Sequence, residues 1–146
     1  MLSEQIISLI RQEQKRQSGS LIDNVDFEHY IDKLSSKAEV FVNYNPNGCS
    51  GFVAYYCNDF DAKTGFITLV LVDPSFRGFG LGKLLVSSVI NIMRSRGFVR
   101  CRLEVKKTNF VAKNLYKNLG FYEVNNTDAI KVIEKDILEI NLCKPN

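Results

Sequence analysis

The hydrophobic positions of this chain follow a helical spacing in its first part and a strand spacing afterwards. Apolar residues three and four apart predict an amphipathic helix over residues 2–17, and a shorter helix after Asp26, which suits an N-cap. Two strand-like segments follow, 38–44 and 51–57, and the turn sequence at 45–48 between them predicts a hairpin. Two helices and an antiparallel pair of strands are therefore expected first.

The rest of the chain alternates strands with helices. Residues 66–72 are almost all apolar, which is typical of a strand covered on both faces. The further predicted elements are a helix over 81–93, a strand over 99–105, a helix over 109–119, and strands over 121–124 and 130–142. Because a helix connects the strands 66–72 and 99–105, these two should be parallel, with a right-handed crossover. The predicted fold class is α/β, a mixed sheet with flanking helices.

Composition limits the class of protein. A chain of 146 residues with 45% hydrophobic and 24% charged residues is typical of one globular domain, here residues 1–146. The net charge of +3 is too small to favour nucleic-acid binding, and no apolar run reaches the roughly 18 residues of a membrane span. The four cysteines lack the close spacing of disulfide or metal frameworks. We expect a cytoplasmic protein without a metal site, a nucleic-acid partner or a membrane partner.

The segment after the strand 66–72 is the most informative one. Three glycines alternate with other residues there and lead into the helix over 81–93: Gly78, Gly80 and Gly82. Glycines allow backbone N–H groups to approach a ligand closely, and the start of a helix attracts anions. The cations Arg77 and Lys83 flank the glycines. The segment therefore predicts a phosphate-binding loop.

Two familiar phosphate-binding patterns fit this loop poorly. A nucleoside-triphosphate loop, GxxxxGK[ST], would need glycine where Arg77 stands and a hydroxyl where Leu84 stands. A dinucleotide fingerprint, GxGxxG, would need glycine at Lys83 and a shorter connection to the preceding strand. Glu104 lies where a ribose-binding acid would be expected, so the dinucleotide pattern stays a minor alternative.

Two motifs together resemble the GNAT superfamily of N-acetyltransferases. The loop Arg77-Gly78-Phe79-Gly80-Leu81-Gly82 matches the pattern [QR]xxGx[GA], with which that superfamily binds pyrophosphate. A second segment resembles the LEV…N..A..LY..LGF motif with its spacing intact: Leu103-Glu104-Val105, Asn109, Ala112, Leu115-Tyr116 and Gly120-Phe121. The two motifs cover residues 66–124. The resemblance implies a single-domain GNAT-like fold and acetyl-CoA as the acetyl donor.

The resemblance also implies site residues. The positions that would bind acetyl-CoA are Leu71, Val72, Arg77, Gly78, Phe79, Gly80, Leu81, Gly82, Lys83, Asn109, Ala112 and Tyr116. The backbone of Leu71 and Val72 matches the positions that stabilise the charge on the thioester oxygen. Tyr116 is implied as the proton donor to the leaving sulfur and Glu104 as the general base. Core packing of Tyr116 is the alternative to a catalytic role.

Helical geometry separates the residues of the helix 109–119 into two faces. Asn109, Ala112 and Tyr116 should face the ligand, and the apolar set Val111, Leu115 and Leu119 should face the sheet.

The chain departs from the family pattern in two places. Many members carry an acid on the strand that here reads Ile67–Leu71, and this strand has none. Glu104 would replace it, although a water chain or a surface ion pair of Glu104 with Arg102 or Lys106 are alternatives. Members also usually begin with a strand, whereas no strand is predicted before Ala38.

The implied activity is acetyl transfer from acetyl-CoA to a primary amine. The acceptor would be a small molecule or amino sugar, or a protein N-terminus or lysine. A non-catalytic acyl-CoA sensor is the alternative from another class of protein. The sequence leaves the oligomeric state open, a homodimer included.

Overall fold

The computed structural model of the protein describes residues 2–22, 26–126 and 130–136. Its helices and strands are α1 (Glu4–Arg16), α2 (Phe27–Lys37), β1 (Glu39–Asn45), β2 (Gly48–Asp59), β3 (Thr64–Val72), a 3-10 turn (Pro74–Phe76), α3 (Leu81–Ser95), β4 (Arg100–Lys106), α4 (Phe110–Asn118), β5 (Tyr122–Asn126) and β6 (Ile130–Asp136). This order confirms the predicted succession of elements. The predicted continuation of the last strand over 137–142 lies outside the described residues.

Local side-chain contacts explain where the first elements begin. The Ser3 hydroxyl accepts a hydrogen bond from the Ile6 N–H at 3.3 Å and caps α1. The Asp26 carboxylate caps α2, as predicted, by accepting from the Glu28 N–H at 2.8 Å. In the predicted hairpin turn the Asn45 side chain accepts from the Asn47 N–H at 2.7 Å. These are sequence-local interactions, which is why the sequence predicts them well.

The strands form one six-stranded mixed sheet in the order β1-β2-β3-β4-β6-β5. β3 and β4 are parallel, as predicted from the helix between them, and the other neighbours are antiparallel. Successive residues of β2 face opposite sides of the sheet. Phe52 and Ala54 pack with α1 and α2, whereas Val53 and Tyr55 pack with α3. Helices thus cover both faces, as the apolar sequence of β3 predicts. In the described residues 2–22 and 26–38 no strand precedes β1.

β3 contains a bulge that the sequence did not predict. In the pairing with β2, Ala54 lies opposite Leu69 and Tyr55 lies opposite Ile67, so Thr68 is an extra residue on β3. Such a bulge bends its strand and increases the local twist.

The bulge changes which side of the sheet the residues of β3 face. Ile67 packs in the cluster beneath α3, whereas Leu69 and Leu71 pack in the cluster beneath α1 and α2. The Thr68 hydroxyl lies 3.1 Å from the Tyr30 hydroxyl of α2, within hydrogen-bond distance. α2 therefore contacts the bulge directly.

The bulge coincides with the end of the β3–β4 pairing. The ladder ends at the pair Ile67 and Leu103, although β3 continues to Val72 and β4 continues to Lys106. Beyond this pair the two parallel strands separate and leave a gap in the middle of the sheet. The carboxyl ends of both strands line that gap, which is the usual place for a ligand in an α/β sheet.

Candidate functional site

The glycine loop leads into a helix that has no side-chain cap. Gly78 and Gly80 have φ angles of +84° and +81°, in the left-handed region that glycine adopts without strain. Gly80 is the N-cap of α3 and makes no side-chain hydrogen bond to it, whereas side chains cap α1, α2 and α4. The first N–H groups of α3 are therefore available to an anion.

A short turn connects the end of β3 to the glycine loop. The Asp73 N–H donates to the Ser50 carbonyl at 2.8 Å and continues the pairing of β3 with β2. The Asp73 carboxylate accepts from the Ser75 N–H at 2.9 Å, and Pro74 begins the 3-10 turn. The Val-Asp-Pro sequence thus ends the strand and holds the start of the loop in place.

The loop borders a cavity of about 530 Å³, here called the loop cavity. Its walls include the predicted positions Leu71, Val72, Arg77, Gly78, Gly80, Leu81, Gly82, Lys83, Asn109, Ala112 and Tyr116. Phe79 is the predicted loop residue outside this set, and its side chain is 82% exposed. The structure therefore brings together, around one cavity, two motifs that lie far apart in sequence.

A second cavity of about 200 Å³, the strand cavity, lies in the gap between β3 and β4. Residues 67–70 line one side of it and residues 103–106 line the other. The two cavities adjoin, because six residues line both of them: Gln17, Leu21, Val70, Asn109, Ala112 and Tyr116. Gln17 and Leu21, from the connection after α1, were not predicted as site residues.

The start of α4 supplies part of both cavity walls. The Asn109 side-chain oxygen accepts from the Ala112 N–H at 3.1 Å, so Asn109 is the N-cap of α4. Val111 was predicted to face the sheet, and this prediction is wrong. The residue is 84% exposed and lines the loop cavity. Leu115 and Leu119 do pack against the core, as predicted. Ala112, in the same first turn, packs against the core, so Val111 lies on the side of the helix that faces away from it.

Tyr116 lies where the two cavities meet. Tyr116 is only 6% exposed and packs in the core beneath α3 and α4. Burial raises the pKa of its phenol, and the Cys101 thiol adds a smaller effect in the same direction. The phenol therefore stays protonated at neutral pH and can act as a hydrogen-bond donor.

Glu104 lines the strand cavity from β4 and is solvent-exposed. It forms no ion pair with another described residue, so the predicted alternative of a pair with Arg102 or Lys106 does not occur there. The Lys106 ammonium instead donates to the Ser20 carbonyl, which joins β4 to the connection after α1.

Arg77 makes two contacts that the sequence did not indicate. Its Nε donates to the Val72 carbonyl at 2.9 Å, and one terminal nitrogen donates to the Glu13 carboxylate of α1 at 2.8 Å. Part of the guanidinium is thus committed to the protein, and a role for Arg77 at phosphate stays a prediction. Lys83 is exposed on the first turn of α3.

Neither a metal-binding cluster nor a membrane-spanning helix occurs in the part of the chain that the structure describes. No group of three or more His, Cys, Asp or Glu side chains among the described residues has an arrangement suited to a metal ion. None of the described helices combines the length and the apolar character that crossing a bilayer requires.

Comparison with known proteins assigns this architecture to a family. The family model described as "Acetyltransferase (GNAT) family" matches residues 6–121 of this chain. Ard1 from Thermoplasma volcanium has a similar fold, with a TM-score of 0.76 over 95% of each chain at 22% sequence identity. An identity this low supports the likeness of fold only.

Two curated relatives are similar over shorter stretches. Mycothiol acetyltransferase from Beutenbergia cavernae is 41% identical over 64 residues, which are 44% of this chain and 22% of that protein. The ribosomal protein bS18-alanine N-acetyltransferase of Salmonella typhimurium is 43% identical over 54 residues, 37% of this chain and 36% of that protein. The chain thus covers well under half the length of either relative.

Proposed function

This chain belongs to the acetyltransferase (GNAT) family, and we propose that it transfers an acetyl group from acetyl-CoA to a primary amine. One observation carries the proposal. The uncapped start of α3 and Tyr116 border the same cavity, and a second cavity containing Glu104 adjoins it. The start of α3, a phenol and a carboxylate thus line two adjoining cavities beside the gap between β3 and β4.

The loop cavity suits coenzyme A. Its volume of about 530 Å³ lies within the usual range for small-molecule sites. The N–H groups of the glycine loop and of the first turn of α3 would hold the pyrophosphate, with Lys83 adding positive charge. Asn109 and the small Ala112 would border the pantetheine arm. The side-chain oxygen Oδ1 of Asn109 caps α4, so the side-chain NH₂ is the group that would donate to the ligand.

Each catalytic group would act on charge or on a proton. The bound coenzyme A thioester supplies the acetyl group. An ammonium acceptor must lose a proton before it can attack, and Glu104 would take that proton directly or through water. The backbone of Leu71 and Val72, at the end of β3, would stabilise the negative charge that develops on the carbonyl oxygen.

Tyr116 would serve the leaving sulfur. Its raised pKa keeps the phenol protonated throughout the neutral range. A phenol is a weaker acid than a thiol, with ordinary pKa values of about 10 and 8.5. Tyr116 would therefore stabilise the thiolate as a hydrogen-bond donor.

The acceptor would enter through the strand cavity. We propose a primary amine on a small molecule or amino sugar, or at a protein N-terminus or lysine. The names of the two curated relatives, a mycothiol acetyltransferase and a ribosomal protein bS18-alanine N-acetyltransferase, support both kinds of acceptor.

Calorimetry and a thiol-release assay test the proposal. Coenzyme A and acetyl-CoA should bind the purified protein, and a panel of amino sugars, polyamines and short peptides should contain amines that accelerate thiol release. Absence of coenzyme A binding by folded protein would refute the assignment. Binding without amine-dependent release would identify an acyl-CoA sensor instead.

A further inference from the structure

Glu13 is a buried carboxylate in the wall of the loop cavity. The residue is 3% exposed and lies on the buried face of α1, three and four positions after the buried Ile10 and Leu9. A buried carboxylate is costly unless hydrogen bonds satisfy it. A reason for its position must therefore lie in its partners.

Three side chains donate hydrogen bonds to the Glu13 carboxylate. Arg77 reaches Oε1 at 2.8 Å, Gln17 reaches Oε2 at 2.7 Å, and Arg16 also donates to Oε1. Burial alone would raise the pKa of Glu13, but the hydrogen bonds from Gln17, Arg77 and Arg16 outweigh burial and lower it. Glu13 is therefore ionised at neutral pH.

The contact with Arg77 connects α1 to the glycine loop. Arg77 directly precedes Gly78, and its Nε also donates to the Val72 carbonyl at the end of β3. One guanidinium thus bridges α1 and β3 at the residue where the loop begins. Hydrogen bonds to two separate partners restrict the position of an arginine more than a single contact would.

The loop is open on the Cβ side of two of its glycines. At both Gly78 and Gly80 no heavy atom lies within 4 Å of the position a Cβ would occupy. Glycines lose much conformational entropy when they are held in one arrangement. Fixed elements at the two ends of the loop, α3 on one side and Arg77 on the other, reduce the number of arrangements that it can adopt.

We propose that Glu13 is a positioning residue, which fixes the glycine loop for the pyrophosphate of coenzyme A by holding Arg77. The inference rests on the proposed function, since it assigns a role within that binding site. It also assigns Arg77 mainly to the support of the loop, with the phosphate contacts left to backbone N–H groups and Lys83.

The first test compares Glu13→Gln with the unaltered protein. The substitution keeps the size of the side chain but weakens its bond to Arg77. The Kd of coenzyme A should rise about tenfold, as expected for a weakened hydrogen bond between charged groups. Arg16→Ala is the matched control, because Arg16 contacts the same carboxylate yet lies outside the loop. The control should leave the Kd within about twofold.

A truncated donor separates positioning from a general loss of structure. S-acetylpantetheine has the thioester and the pantetheine arm but no pyrophosphate. Glu13→Gln should lower kcat/KM for acetyl-CoA about tenfold and leave kcat/KM for S-acetylpantetheine unchanged. An equal loss with both donors would overturn the proposal, because Glu13 would then act on the thioester or on the whole fold.

A double-mutant cycle tests the route through Arg77. Arg77→Gln should raise the Kd of coenzyme A by itself, and Glu13→Gln should add little in that background. Fully additive effects would overturn the route. If Glu13→Gln does not fold, Glu13→Asp gives the same comparison of the two donors, because it keeps the charge but withdraws the carboxylate from Arg77. If the unaltered protein binds no coenzyme A, the proposed function fails; if it binds and Glu13→Gln binds equally well, only this inference fails.

Discussion

The ring of Tyr116 packs edge-on against the ring of Phe121, with 5.5 Å between the centroids and 64° between the planes. Tyr116 also borders both the loop cavity and the strand cavity. One side chain therefore carries a packing role in its ring and a proposed chemical role in its oxygen. Phenylalanine would keep the first and remove the second.

Tyr116→Phe should lower turnover about 10²-fold, because the leaving thiolate loses its hydrogen-bond donor. The Kd of coenzyme A should change little, since the ring and its contact with Phe121 stay in place. Steady-state kinetics and calorimetry measure the two quantities separately. Tyr44→Phe, at a tyrosine that is 61% exposed on β1, is the control and should change neither. A parallel loss of affinity and turnover in Tyr116→Phe would make the tyrosine structural.

Glu104→Gln should reduce turnover by about 10²-fold near neutral pH, because the ammonium acceptor then lacks its base. The loss should shrink as the pH rises towards the pKa of the amine, about 10.4 for a lysine-like acceptor, since more of the amine is then neutral in solution. A pH–rate profile of both proteins checks this. Asp61→Asn, in the exposed turn between β2 and β3, is the control. A pH-independent loss would favour the water chain or a binding role for Glu104.

Gly80→Ala should weaken coenzyme A binding and also destabilise the fold. A β-carbon at a φ of +81° costs about 1–2 kcal/mol, and relief of that strain would turn the loop away from its present arrangement. Gly97→Ala is a closely matched control, because Gly97 has a φ of +83°, equally open surroundings, and lies at the other end of α3. Urea unfolding should give a similar loss for both variants. Calorimetry should show weaker binding in Gly80→Ala alone.

The contribution of Glu13 to stability should depend on pH. The pKa of its carboxyl is lower in the folded protein than its ordinary value of 4.5. A depressed pKa contributes stability that is complete above the unfolded value and is lost as the pH falls through the folded value. The difference in unfolding free energy between the unaltered protein and Glu13→Gln should therefore be constant above about pH 5 and should shrink below pH 4. Urea titrations from pH 7 to pH 3 measure it, and a constant difference over this range would contradict the expectation.

Local sequence patterns predicted most of the fold. The N-cap at Asp26, the hairpin turn after Asn45 and the end of β3 at Asp73 all depend on hydrogen bonds between residues two or three apart. Periodicity predicted the helices for the same reason, because a helix is stabilised by contacts within one turn. The glycine loop and the motif around Tyr116 were also visible, since each is a short continuous segment.

The bulge at Thr68 and the gap after Ile67 are properties of the assembled sheet. A bulge exists only relative to a partner strand, and the apolar sequence of β3 fits either side of a sheet that helices cover on both faces. The contact that accompanies it joins Thr68 to Tyr30, 38 positions earlier in the chain. No periodicity along the chain contains that information.

Glu13 is the clearest example of a residue whose position the sequence predicts but whose contacts it does not. Helical spacing places it on the buried face of α1 with Leu9 and Ile10, but the guanidinium that compensates its charge lies 64 positions away. A charged residue on a buried face needs a partner, and only packing reveals which residue that partner is. The chain's own order of residues therefore determined the elements, their succession and the segments that are predicted to bind a thioester cofactor. Tertiary structure alone decided where the sheet opens and which carboxylate contacts Arg77, because both depend on interactions between residues that are distant in sequence.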